Sequence, residues 1–134
     1  MENRTFTDLA VFNALNMNEF ELINFIKDED SLIVRAHSGS PNLFWAEIKF
    51  LWIGYIACPT YFFDVQLRMA TETEIANVGP HKNASKLYCF EDTLATENET
   101  RDRFFIAANA VEITVYYGGE NLDKMLSRAT VNDI

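Results

Sequence analysis

The chain is short of the residues that usually announce a chemistry. It contains two cysteines, two histidines, three prolines and five glycines in 134 residues. Cys58 and Cys89 have no metal-type spacing, so a reduced, intracellular state is the default expectation. Both are expected to be small buried hydrophobes. Cys58, just before Pro59, would act as a nucleophile only if a histidine or positive surroundings lowered its pKa. His37 and His81 each lie beside a loop, and no spacing requires them to join Asp64 or Glu91 around a metal. Gly118-Gly119 lacks the further glycines and the lysine of a phosphate cradle and reads as a strand stop. Nucleophile-elbow and His-Glu-x-x-His patterns are absent. The expectation is no metal and no cofactor.

Basic residues are also scarce. Eleven stand against 20 acidic ones, a formal net charge of −9. Binding to nucleic acid needs a basic footprint, so that class is disfavoured, whereas solubility or a basic protein partner fits. The most apolar stretch, Leu43 to Phe63, is interrupted by Glu47, Lys49, Gly54 and Pro59, so no membrane-spanning helix is expected. Residues 1–8 lack the basic start and apolar run of a signal peptide, and a cytoplasmic location follows as the expectation. Three glycosylation-type triplets, at Asn3, Asn83 and Asn98, are then chance matches.

What the chain does have is aromatic and β-branched side chains in alternation. Eleven Phe, five Tyr and two Trp favour pleated surfaces and large buried areas. From Phe62 to Ala70 the pattern predicts one strand, with Phe63, Val65, Leu67 and Met69 on the core face and Asp64, Gln66 and Arg68 on the other. Burying those four apolar side chains would contribute about 6–12 kcal/mol gross. Phe20 to Ile26 and Leu32 to His37 predict a hairpin around the polar turn Lys27 to Ser31, with a helix over the first arm as the competing reading. Leu43 to Ile56 is one long bent strand or two, with Gly54 as the bend. Further strands are predicted at Leu87 to Glu91, Arg103 to Ala108 and Val111 to Tyr117. A short helix capped by Thr7 covers Asp8 to Asn16, and another covers Leu122 to Ala129. The expectation is a mainly β, α+β single domain over 1–134: an antiparallel curved sheet or small β-sandwich with short terminal helices.

No carboxylate pair is marked out for acid–base work. Glu47, Asp64, Glu72, Glu74 and Glu112 are explained as solvated strand faces. Two features point to binding instead. Acidic residues cluster at Asp28-Glu29-Asp30 and at Glu91, Asp92, Glu97 and Glu99; ordinary charged turns would give the same pattern, but adjoining in space they would speed capture of a basic partner. Aromatics such as Trp45, Tyr55 and Tyr116 fall on nominally outer faces, where interfaces are enriched in them. The leading expectation is therefore a non-enzymatic, acidic protein-interaction module that binds a basic protein such as a toxin or nuclease. The partner-binding candidates are Asp28, Glu29, Asp30, Trp45, Glu91, Asp92, Glu97 and Glu99. One alternative is a ligand or enzyme pocket lined by Phe44, Trp52 and Phe63, with Asp64 or His37 as polar contacts. Another is a homo-oligomer formed through an aromatic sheet face.

Overall fold

Side chains that alternate between buried and exposed along each strand determine which sheet faces meet. The computed structural model describes residues 2–38, 44–79, 86–92 and 102–117. Within them the chain runs β1 (Glu2–Phe6), α1 (Leu9–Ala14), β2 (Glu19–Ile26), β3 (Ser31–His37), β4 (Phe44–Leu51), β5 (Tyr55–Ala57), β6 (Tyr61–Phe63), β7 (Val65–Met69), α2 (Glu72–Val78), β8 (Lys86–Asp92), β9 (Arg103–Ala108) and β10 (Ala110–Tyr117). The strands form two antiparallel sheets, a six-stranded one in the order β1-β10-β4-β3-β2-β6 and a four-stranded one in the order β5-β9-β8-β7.

The inner faces of the two sheets supply one shared core. Leu32, Val34 and Ala36 of β3, Ala46, Ile48 and Phe50 of β4, and Val111, Ile113 and Val115 of β10 come from the large sheet. Val65, Leu67, Tyr88, Phe90, Ile106 and Ala108 come from the small one. At the centre Phe20 and Phe62 stack at 5.3 Å, and Phe90 from the opposite sheet meets them edge-on at 5.7 Å and 5.1 Å. Phe90 also meets Phe50 at 6.0 Å. Edge-to-face rings contribute about 0.5–1.5 kcal/mol each beyond their area.

The hairpin of β2 and β3 forms as expected, with a bulge between Leu22 and Asn24, and the Phe20 segment is strand rather than helix. The long apolar run divides into β4 and β5. Its bend falls at Trp52, whose φ is 59°, rather than at Gly54, and Ile53 N donates to Asp30 O at 2.8 Å to hold the corner. Asp8, not Thr7, caps α1: its carboxylate accepts from Ala10 N at 2.9 Å. Asn13 of α1 then acts as a strand partner for β7, with Nδ2 donating to Leu67 O at 2.7 Å and Leu67 N donating to Oδ1 at 2.9 Å. A short edge covered this way is closed to further pairing.

Two elements were not anticipated. β1 adds an edge to the large sheet. α2 begins with a capping box, Thr71 Oγ1 accepting from Glu74 N at 3.2 Å and Glu74 Oε1 from Thr71 N at 2.8 Å. Val78 and Ile75 of α2 cover Leu87 and Ala107 on the outer face of the small sheet. That second layer explains why Leu87, Tyr88, Cys89 and Phe90 are all buried although successive strand residues face opposite ways. The helix expected at Leu122 to Ala129 lies outside the described residues.

The predicted strand from Phe62 to Ala70 is broken, and this is the main correction. Asp64 adopts φ 54°, a left-handed conformation that Asp tolerates better than most side chains, and the chain crosses there from the large sheet into the small one. Crossing inverts the alternation on one side of the corner. Phe62 points into the core and Phe63 is 50% exposed, while Val65 and Leu67 are buried and Met69 is 45% exposed. We therefore expect Phe62→Ala to cost about 3–5 kcal/mol in chemical denaturation. Phe63→Ala should stay within about 1 kcal/mol of the native chain. The reverse order would restore the unbroken strand.

Candidate functional site

The left-handed residue at Asp64 makes the β6–β7 corner, where the two sheets share an edge. Before the corner, Tyr61 and Phe63 stand on the outer face of β6, edge-to-face at 4.8 Å and about half exposed. The register places them opposite Glu21 and Glu19 of β2. Tyr61 Oη donates to Glu19 Oε2 at 3.2 Å. Desolvation, followed by the charges of Glu19 and Glu21, pushes the Tyr61 phenol above its ordinary pKa.

A groove of about 310 Å³ runs beside this strand, walled by Pro59, Tyr61, Phe63 and Phe104 and closed by Asp92 and Asp102. Those two aspartates are joined through their backbones, Asp92 N donating to Asp102 O at 2.9 Å. On the other side of the corner is a smaller polar cavity of about 130 Å³, with Asn16, Asn18, Asp64 and Gln66 in its walls. Val65 lines both spaces. No lysine, arginine or histidine occurs between Arg4 and Lys27, or between Lys49 and Arg68, so β2 and β6 bring only negative charge; across β2, the register sets His37 of β3 opposite Glu19 and Arg35 opposite Glu21.

The sequence-derived candidates are dispersed. Asp92 reaches the corner. Asp28, Glu29 and Asp30 lie in the turn at the far end of β2 and β3, where Glu29 pairs with Lys49 at 2.8 Å and the hydrogen bond from Lys49 holds its carboxyl below the usual range. Trp45 lies on the outer face of the large sheet, stacked on Tyr116 at 4.3 Å with the Arg35 guanidinium 4.9 Å from its ring centroid. It pairs with His37, five β3 residues beyond Leu32, so it stands about 17–20 Å from the acidic turn. Glu97 and Glu99 lie outside the described residues.

Glu91 serves a different purpose. It and Glu74 hold α2 to the small sheet through two arginines. Arg68 grips Glu74 with both ends of its guanidinium, at 2.8 Å and 3.0 Å, and reaches Glu91 at 2.5 Å. Arg103 Nε donates to Glu91 at 3.1 Å. Glu74 is buried inside a helix and Glu72 begins the same helix, so the expectation of a solvated strand face was incorrect for both.

The residues of the alternative pocket are not brought together. Phe44 begins β4 and Trp52 follows its last residue, about 26 Å apart along a strand, and Phe63 and Trp52 face outward. Burial pushes the thiols of Cys58 and Cys89 up to about 11, so both are protonated at neutral pH and weakly nucleophilic. Among the described residues no group of three or more His, Cys, Asp and Glu could hold a metal ion, and no helix is long and apolar enough to cross a membrane.

Tyr61, Glu19, Glu21 and Asp102 were missed as candidates, and Phe63 was assigned to a pocket rather than to a partner-binding surface. The signal for them was the absence of basic residues on both flanks of Pro59-Thr60-Tyr61-Phe62-Phe63, a pattern that names no contact until the strands are paired.

The arginine–glutamate network sets an acid response. The bidentate hydrogen bonds from Arg68 hold the Glu74 carboxyl down at about 2, and those from Arg68 and Arg103 lower that of Glu91. A lowered folded-state pKa gives stability that is complete above the ordinary value of 4.5 and lost as pH falls toward about 2. Glu74→Gln should be less stable than the native chain at pH 7, and its stability should fall less steeply over that window; an unchanged slope would contradict the role given to Glu74. Comparison with protein families, with curated proteins and with solved structures finds no match, so the corner is read from its own chemistry alone.

Proposed function

We propose that the protein is a non-enzymatic interaction module that binds a basic protein, such as a toxin or nuclease, at the β6–β7 corner. The observation that carries this reading is the pair of half-exposed rings, Tyr61 and Phe63, set among Glu19, Glu21, Asp92 and Asp102. Rings of this kind anchor interfaces by burying area at small entropic cost, and they attract cations over their faces. The surrounding carboxylates, in a chain of net charge −9, steer a basic surface toward them over long range. Asp92 and Asp102, joined through their backbones at the groove, agree with the same polarity of partner.

The test uses the partner recovered by low-salt co-purification with the native chain. The association rate should fall about tenfold or more between low and high salt, as steered encounters do. Phe63→Ala should weaken binding by about 2 kcal/mol, mainly through faster dissociation, and Trp45→Ala should leave it unchanged. A salt-independent association rate, or a loss with Trp45→Ala and none with Phe63→Ala, would contradict this reading.

A further inference from the structure

β8 carries a buried polar group that the fold leaves unanswered. Tyr88 is 2% exposed, and its ring packs edge-on against Phe50 at 5.4 Å between the two sheets. Among the described residues its hydroxyl has no hydrogen-bond partner, and desolvation alone, with no hydrogen bond or charge contributing, pushes its pKa up. A buried hydroxyl left unpaired is costly, and native proteins rarely keep one without a reason. The Tyr88 hydroxyl is not sealed in: the side-chain polar atoms closed off without a partner are Asn18 Oδ1 and Arg35 Nε. Tyr88 lines a cavity of about 370 Å³ at the Met69 end of β7, away from the corner at Asp64.

The walls of this cavity define what can pair with the hydroxyl. Leu9, Met69, Ala110 and Val111 make them mainly apolar. Lys86 also lines the cavity, two residues before Tyr88 on β8, so both side chains leave the same face of the strand about 7 Å apart. Phe90 continues that face into the shared core, whereas Lys86 is exposed at the first residue of the strand. A cation therefore stands at the rim and a phenol inside. Thr7 adds a hydroxyl that is not used to cap α1, because Asp8 takes that place and turns its carboxylate to Ala10 N and Val11 N. No carboxylate occurs among the described residues that line this cavity, while the two spaces at the corner carry Asp64, or Asp92 and Asp102. In a chain of net charge −9 this is a locally positive space.

We infer that this cavity binds a small apolar monocarboxylate, a molecule that carries one carboxylate on a single ring or a short hydrocarbon chain. An ionised carboxylate only accepts, so one oxygen takes the Tyr88 hydroxyl proton's hydrogen bond and the other takes one from the Lys86 ammonium. The ring or chain then lies against Leu9, Met69 and Val111, out of water. A cationic ligand would meet Lys86, and a plain hydrocarbon would leave the Tyr88 hydroxyl unpaired. About 370 Å³ is near the lower limit of the roughly 300–1,000 Å³ of small-molecule sites, which suits a ligand of this size and not a long lipid chain. The cavity is separate from the corner, so a ligand here neither requires nor excludes a protein partner there.

The direct experiment is a titration of the isotope-labelled full chain with benzoate and with hexanoate, followed by NMR, with benzamide and hexanamide as their neutral counterparts. At least one of the two acids should shift the methyl signals of Leu9, Met69 and Val111 saturably, and its amide should bind about tenfold more weakly or not at all. Tyr88→Phe removes only the hydroxyl, so it should unfold at the same or a higher urea concentration while its affinity for the acid falls about tenfold. Lys86→Gln should lower the affinity to a similar extent and flatten its dependence on salt. Equal binding of acid and amide would overturn the carboxylate site, as would an unchanged affinity in Tyr88→Phe or Lys86→Gln. Earlier unfolding of Tyr88→Phe would overturn it as well, because the hydroxyl then already has a partner within the protein. Acids that leave all three methyl signals unmoved would do the same, since water then pairs with the hydroxyl.

Discussion

The structure depends on one ring. Phe90, carried by the central region of the small sheet, inserts edge-on against Phe20 and Phe62 and reaches Phe50, all three from the large sheet. The two sheets hold together through this contact and the aliphatic layer around it. Because Phe20 and Phe62 belong to paired strands and stack flat at 5.3 Å, the ring cluster also fixes how β6 sits on β2. Interiors packed to this density do not shift continuously, so the position of β6 is set to within a side chain's width.

From that position the remaining geometry follows. The chain leaves β6 in one sheet and enters β7 in the other within a single residue, Asp64. A crossing so short requires a left-handed residue and inverts the side-chain parity. Phe63 cannot then join the core that Phe62 occupies. The exposed aromatic pair, the groove beside it and the cavity behind Asp64 are consequences of the same corner. The outer face of the small sheet is closed by α2 and its arginine–glutamate network, which compensates Glu74 and Glu91 and removes them from the charge a partner would meet.

Much of the fold was legible in the sequence because strand alternation depends only on neighbouring residues. The β2–β3 hairpin, the division of the apolar run into β4 and β5, and the pause at Asn109 between β9 and β10 all appear where the pattern changes. The corner was not legible, because Phe63-Asp64-Val65 preserves perfect alternation while the backbone turns through it. Only the conformation of Asp64 distinguishes one strand from two. α2 was written in Thr71-Glu72-Thr73-Glu74 as a capping box but was overlooked beside the stronger strand signals. The candidate site was hidden for a related reason. Acidic residues were grouped by closeness in sequence, whereas the register groups Glu19 and Glu21 with Phe63 and Tyr61, some forty residues on. Clusters that looked continuous, such as Glu91-Asp92, are divided by the pleat into one network residue and one groove residue.

The proposed function makes the corner the contact surface, against the acidic turn and the Trp45–Tyr116 face as the other places a partner might choose. Hydrogen exchange of the complex, compared with the free chain, distinguishes these most directly. The account predicts new protection confined to residues 18–21 and 59–66, with no change along β4 or in the turn at Lys27–Glu29. Protection centred on Trp45 and Tyr116, with residues 59–66 exchanging as in the free chain, would contradict it.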